Sequence, residues 1–386
     1  MRALSSSFAE AGFFPVYLRP CPQGDPRYSP RAMGEDFVRD GDIRWLVALL
    51  ALPQLVGRKE KPDPFSLRID PGMALVARMD FCLFNVLIAE RLWIASETAV
   101  GLSATRRDEA RSIVDTVIGK LLNPPDGFAP GHEYLYKVSF DPAIRNRDLN
   151  GMMREWSAYS DSDSTAYALS LFARYLGSQR RDDAFLALSA RVRQALERTP
   201  YLEKLATVFL PALDYTLPAA RASLPSEAHA FMTYFTKGAN DADPVVNMDI
   251  LEALARNWSA WKLSENAPMR SMIRAALGYI RGLAENASLF RPWVHQYYTA
   301  PACAFLWKRY HGAFLYLNAD QRALFDPDGA TAVIDTALEA HWDAYAASDP
   351  GFSRLEDLDL ALIAAAFPER RAARARLSAW LAGTFA

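Results

Sequence analysis

Apolar residues recur along this chain with the 3.6-residue period of a helix, and hardly anywhere with the two-residue alternation of a half-buried strand. Read coarsely, that period predicts helices over 31–52, 71–100, 105–122, 163–178, 182–198, 200–209, 225–236, 244–260, 267–286, 301–311, 329–346, 356–366 and 368–383. One short strand-like piece runs from Tyr134 to Val138. The fold class is therefore all-α. With 386 residues, 51% of them hydrophobic, the chain carries enough apolar material for one large core, and we read 1–386 as a single domain. The longest break in the pattern is 123–160, where Pro124, Pro125, Gly127, Pro130, Gly131 and Pro142 mark an irregular insertion of the kind found at functional faces.

Three predicted helices open alike. Asp161 to Leu171 reads DSDSTAYALSL, Asp243 to Leu254 reads DPVVNMDILEAL, and Glu356 to Ala365 reads EDLDLALIAA. Each sets acids or amides at the first turns and then runs apolar, a degenerate repeat. Helical hairpins whose alternate members are apolar on most sides suit an α/α-toroid, a barrel of hairpins of (α/α)6 type, because its inner ring is enclosed while its outer ring is amphipathic. The N-termini of the inner helices would then gather on one face, around one cavity.

The first of these openings is the most informative. Asp161 and Asp163 stand just ahead of Ala166, Leu169, Phe172, Ala173 and Leu176 at helical spacing, with Ser160 or Ser162 as the N-cap. A helix N-terminus favours carboxylates, while mutual repulsion tends to keep one proton between two of them. Such a proton is what general acid catalysis uses, although solvated capping acids have the same pattern.

The string D-S-D-S-T-A resembles the D-x-D-D-T-A motif of class II terpenoid cyclases, the squalene–hopene cyclase group. There the middle Asp protonates an alkene or epoxide to start cyclisation. The resemblance implies that Asp163 is the proton donor, that Asp161 is its hydrogen-bond partner, and that Ser164 stands where the family has its last Asp. It covers this one motif and the helical pattern; the Q-x-x-x-G-x-W repeats of the large triterpene cyclases are absent. The activity it implies is isomerase- or lyase-type cyclisation of a linear, small hydrophobic isoprenoid. No metal or other cofactor is required for protonation, but a diphosphate-bearing substrate would bring Mg²⁺.

Other residues are candidates for the substrate pocket. Asn247 lies among Val245, Val246, Ile250 and Leu251, and a buried amide needs hydrogen-bond partners. Asp249, on a different face, is a second pocket candidate, but with Glu252 and Arg256 at helical spacing it also reads as solvated. WVHQYYTAP, from Trp293 to Pro301, offers His295, Tyr297 and Tyr298 ahead of another helix, and Trp156 adds a ring before the acidic motif. Such rings stabilise cations through their quadrupoles, and they pack ordinary cores too.

Two rival functions follow from the same residues. One is a carbohydrate-active (α/α)6-barrel hydrolase pairing Asp163 with an acid from another helix, for example Asp249. The other is a catalytically silent toroid that binds a lipid or a partner protein. Acids about 5–10 Å apart in an open polar groove would favour the hydrolase. Adjacent acids at one end of a closed apolar pocket would favour the isoprenoid.

Much else is excluded as unsupported by pattern: there is no P-loop, GxGxxG, HExxH or GxSxG, and no DDxxD metal motif. A formal charge of -2 calls for no nucleic acid or anionic surface. Cys21, Cys82 and Cys303 form neither a disulfide framework nor a thiolate zinc site, so a reducing, cytoplasmic setting is expected. No secretory signal is evident in the first twenty residues, and the apolar run 45–52 is too short to span a bilayer; peripheral membrane contact is left open.

Overall fold

The computed structural model describes residues 16–18, 77–79, 82–98, 103–124, 127–137, 159–216, 218–236, 240–290 and 300–347. These are mostly helical, as the period predicts. A short antiparallel pair, β1 (Val16–Leu18) and β2 (Ala77–Met79), sets Val16 opposite Met79. Helices α1 (Cys82–Thr98), α2 (Ala104–Leu122), α3 (Ser162–Leu176), α4 (Asp183–Arg198) and α5 (Tyr201–Thr207) follow. Then come β3 (Phe209–Pro211), the single turns α6 (Ala212–Tyr215) and α7 (Pro218–Arg221), and β4 (His229–Phe231), antiparallel to β3. Last are α8 (Pro244–Arg256), α9 (Ala267–Glu285), a 3₁₀ turn at Ser288–Phe290, α10 (Ala300–Tyr316), α11 (Ala319–Phe325) and α12 (Ala330–Ala347).

Side-chain chemistry at the boundaries explains where these helices start. Asp161, Asp182, Asp243 and Asn266 each place a carboxylate or amide oxygen on a first-turn backbone N–H, and Pro244 fills a position whose own N–H would be an orphan. Asn318 and Gln321 form a reciprocal capping box at α11.

The core centres on α8, which is buried from Pro244 through Ala255 and packs against α10 and α3. A helix apolar on nearly every side has to be enclosed. By contrast α4 buries only a stripe, Phe185, Ser189, Val192, Ala195 and Leu196, against α2 and α3. Helix α3 is buried almost all round from Ser162 to Phe172, and also packs on α1. Enclosed and striped helices thus coexist.

Several boundaries differ from the periodic reading. The helix predicted at 225–236 is replaced by β4 and turns, because the extended main chain there is claimed from outside: Ser162 donates to the carbonyls of Met232 and Thr233 at 2.9 and 3.0 Å, and β3 pairs with 229–231. The helix predicted over 200–209 stops at Thr207, where Phe209–Pro211 turns extended. That predicted over 71–100 starts only at Cys82, after β2. Residues 134–137 are not a strand. Tyr134 takes a positive φ of 59°, and the backbone of Tyr136 bonds to Thr165 and Asp161 instead of to a ladder. The predicted helices 31–52, 356–366 and 368–383, and with them the third repeat, lie outside the described residues.

Candidate functional site

The chain reaches α3 along a short extended strip fixed on two sides. The Asp161 N–H donates to the Tyr136 carbonyl at 2.9 Å, the Ser162 N–H to the Thr233 carbonyl at 2.7 Å, and Phe235 N–H to the Ser160 carbonyl at 3.2 Å. Thr165 locks the turn, its hydroxyl donating to the Asp161 carbonyl at 2.6 Å and accepting from the Tyr136 N–H at 2.9 Å. The N-cap is thereby Asp161, not Ser160 or Ser162; the Ser162 hydroxyl is spent on the 232–233 carbonyls.

Asp161 is 2% exposed, and its Oδ1 accepts from the Ser164 N–H, while its Oδ2 accepts no hydrogen bond. Burial, then the neighbouring Asp163, pushes this carboxyl well above the usual range, with the Ser164 amide and hydroxyl opposing. Two residues on, Asp163 is half-buried in the first turn of α3.

Across the helix interface stands Asp249, in the second turn of α8 and 2% exposed. Its position rules out the solvated reading. Neither of its oxygens accepts a hydrogen bond from an amide or an ordinary hydroxyl. The acid that acts on it most strongly is Asp163 of α3. Two carboxylates only accept, so a hydrogen bond between them would need one proton. Burial first, and Asp163 second, push Asp249 well above the ordinary carboxylate range. Asp163 is thus set against an acid of another helix, while Asp161 is occupied as the helix cap.

Tyrosines flank the pair. Tyr167, one turn along α3 from Asp163, and Tyr201 of α5 are fully buried. Burial and the neighbouring acids raise both phenols well above their ordinary value. Tyr201 donates to the Ser162 carbonyl at 3.1 Å and packs against Phe235 and Trp261, with ring centroids 5.9 and 5.8 Å away. One turn below the acids lies a buried ion cluster. Arg309 of α10 donates from Nη2 to Glu90 Oε2 at 2.6 Å and to Glu252 Oε2 at 3.1 Å, and its guanidinium sits 4.5 Å from the Tyr167 ring centroid. Arg174 reaches Glu90 at 2.9 Å and Glu252 at 3.5 Å; Arg256 reaches Glu252 at 2.6 Å. Burial alone would raise Glu252, but Arg309, Arg256 and Arg174 outweigh it and hold the carboxyl down at about 2. Reading Glu252 and Arg256 as solvated fails on the same fact: Glu252 is 1% exposed.

The expected pocket residues are sorted accordingly. Asp161, Asp163, Ser164 and Asp249 come together. Asn247 is fully buried, but its amide grips the main chain: it accepts from the Phe231 N–H at 3.0 Å and donates to the carbonyls of Phe231 and Asp243 at 2.9 and 3.0 Å. Its hydrogen bonds fix β4 to α8. Trp156, His295, Tyr297 and Tyr298 lie outside the described residues. Among the described residues, no group of three or more His, Cys, Asp or Glu is arranged to hold a metal ion, no helix is long and apolar enough to cross a membrane, and Cys82 and Cys303 are buried outside any disulfide.

The periodic reading did not single out Tyr167, Tyr201, Glu90, Arg174 and Arg309. The signal that could have found two of them is a pair of adjacent charges inside an apolar run: Glu90 with Arg91 in VLIAERLWIA, and Lys308 with Arg309 in AFLWKRYHGAFL. No family model, curated protein or solved structure matches the chain.

Proposed function

We propose that this chain is a general acid catalyst of the class II terpenoid cyclase kind, starting the cyclisation of a linear isoprenoid with a proton held by Asp163 and Asp249. The observation that carries this reading is the burial of Asp249 on α8, with no amide or hydroxyl on its oxygens, beside the half-buried Asp163 of α3. Near neutral pH the pair keeps one proton that water cannot easily remove, and Asp163, its half-buried member, is the one placed to pass it on. In the step itself the alkene π electrons form a C–H bond to that proton, the O–H electrons stay on the carboxylate, and the adjacent carbon becomes the cation that ring closure consumes. Tyr201 stands beside the acids as a ring of the kind that steadies a carbocation, while the Tyr167 ring is already covered by the Arg309 guanidinium 4.5 Å from its centroid.

The toroid belongs to the same proposal. Support comes from the enclosed helices α3 and α8, both capped by aspartates and both bearing their acids near the N-terminal end. The glycosidase reading is less well supported. A proton favoured between neighbouring acids suits donation to an alkene, whereas the glycosidase needs two carboxyls held about 5 Å or more apart across the sugar.

Incubating the purified chain with farnesyl diphosphate, geranylgeranyl diphosphate and squalene in D₂O tests it. We expect a cyclised product carrying one solvent deuterium. Asp163→Asn and Asp249→Asn should each lower turnover by about 10²–10⁴-fold while the chain stays folded. Undiminished product from Asp163→Asn, or no terpenoid product from the unaltered chain, would sink the reading.

A further inference from the structure

Donors and acceptors do not balance in the buried ion cluster. Every carboxylate oxygen in it is engaged: those of Glu90 by Arg174 and Arg309, those of Glu252 by Arg174, Arg256 and Arg309, at 2.6 to 3.5 Å. The arginines, by contrast, keep buried nitrogens to spare. Arg309 Nε, Arg309 Nη1 and Arg174 Nε donate to no acceptor among the described residues. The Arg309 side chain is 5% exposed, so bulk water does not reach these groups freely. A desolvated guanidinium N–H without an acceptor costs more than a neutral one.

Charge is unbalanced in the same direction. Three guanidinium groups pair with two carboxylates, which leaves one positive charge in excess. Among the described residues no third carboxylate pairs with these arginines. Asp249, one turn before Glu252 on α8, is pushed well above the ordinary carboxylate range, first by burial, and so favours its neutral form. Arg91, next to Glu90 in the chain, adds positive charge: its guanidinium lies 4.9 Å from the centroid of the Phe305 ring, which that of Arg309 approaches at 6.0 Å. The Tyr167 ring, 4.5 Å from the Arg309 guanidinium, softens that charge without cancelling it.

We propose that the cluster is a binding site for one small inorganic monoanion of the chloride type, held by the spare N–H groups of Arg309, with Arg174, which shares both of its carboxylates, as the second cation. One negative charge cancels the single excess, and a spherical ion accepts N–H groups from several directions at once. The enclosure of Arg309 favours an ion of that size over an organic phosphate. Bound there, the ion braces α1, α3, α8 and α10 against one another, whatever reaction the chain carries out.

Urea unfolding of the full chain in sodium chloride, against sodium gluconate at equal ionic strength, tests this. Chloride should raise the midpoint saturably, the folded-to-unfolded ratio growing about 100-fold once chloride stands at 100 times its Kd. Arg309→Lys keeps the charge and removes the spare guanidinium donors, so it should weaken the chloride effect about tenfold. The double variant Arg309→Met with Glu252→Gln keeps the single positive excess and deletes both partners of a buried ion pair, so it still folds, and it should lose the saturable effect. General salt effects are common to parent and variants, so the difference between them isolates the site. Crystals grown in bromide should show an anomalous peak beside Arg309 Nε. Equal chloride and gluconate curves for the unaltered chain, a saturable effect that survives in both variants, or a bromide peak found only elsewhere overturns the inference.

Discussion

A carboxyl in the second turn of a buried helix has lost water without gaining the free N–H groups found at the helix mouth, and Asp249 is in that position. Its folded-state pKa is raised, so ionising it costs stability that is absent below the ordinary carboxylate pKa of about 4 and grows as pH climbs toward the folded value. Asn keeps the shape and cannot ionise. Asp249→Asn should therefore melt close to the unaltered chain at pH 4 and above it at pH 8, by about 0.5–2 kcal/mol, while losing the activity proposed for the pair. Thermal unfolding at the two pH values measures this; a variant destabilised at pH 8 would show that Asp249 is ionised and well paired. Asp163 was legible in the sequence because an acid ahead of a periodic run announces a helix mouth. The solvated alternative for Asp249 failed because an acid inside a run such as NMDILEAL has the same spacing whether that face meets solvent or another helix.

Elements here are fixed as much by side chains reaching main chain from afar as by their own periodicity. Helix α8 could be placed from Asp243, Pro244 and the apolar run after them. Strand β4 could not, since HAFMTYF carries no alternation and its extended state depends on partners remote in sequence: β3, Ser162 and Asn247. Asn247 is the most demanding of these. It satisfies both the N–H and the carbonyl of Phe231, groups with no water to turn to. Asn247→Ala should cost about 2–4 kcal/mol, because two buried main-chain groups are orphaned at once. Asn247→Asp should also destabilise, since it keeps the acceptor and loses the donor. Urea midpoints decide it, and an Ala variant within about 0.5 kcal/mol of the parent, the ordinary surface-substitution range, would contradict the clamp.

At the scale of the whole molecule the ion cluster ties segments far apart in the chain: Glu90 from α1, Arg174 from α3, Glu252 and Arg256 from α8, and Arg309 from α10. Removing one member leaves the others charged in the core. Glu252→Gln should cost about 3–5 kcal/mol at neutral pH, whereas Glu252→Gln with Arg309→Met should cost less than the two single changes added together. The pH dependence has a definite sign. Glu252 is held at about 2, below its unfolded value of about 4.5, so its contribution is fully present above pH 4.5 and is lost as pH falls through 2. That window is worth on the order of 3 kcal/mol, and it should flatten in Glu252→Gln while the remaining carboxylates keep their own acid limb. Chemical unfolding repeated between pH 2 and 7 on both chains gives the difference curve. A difference that stays constant across that range would mean that Glu252 takes up no proton within it, and that the cluster does not tie the four helices through the charge of this carboxylate.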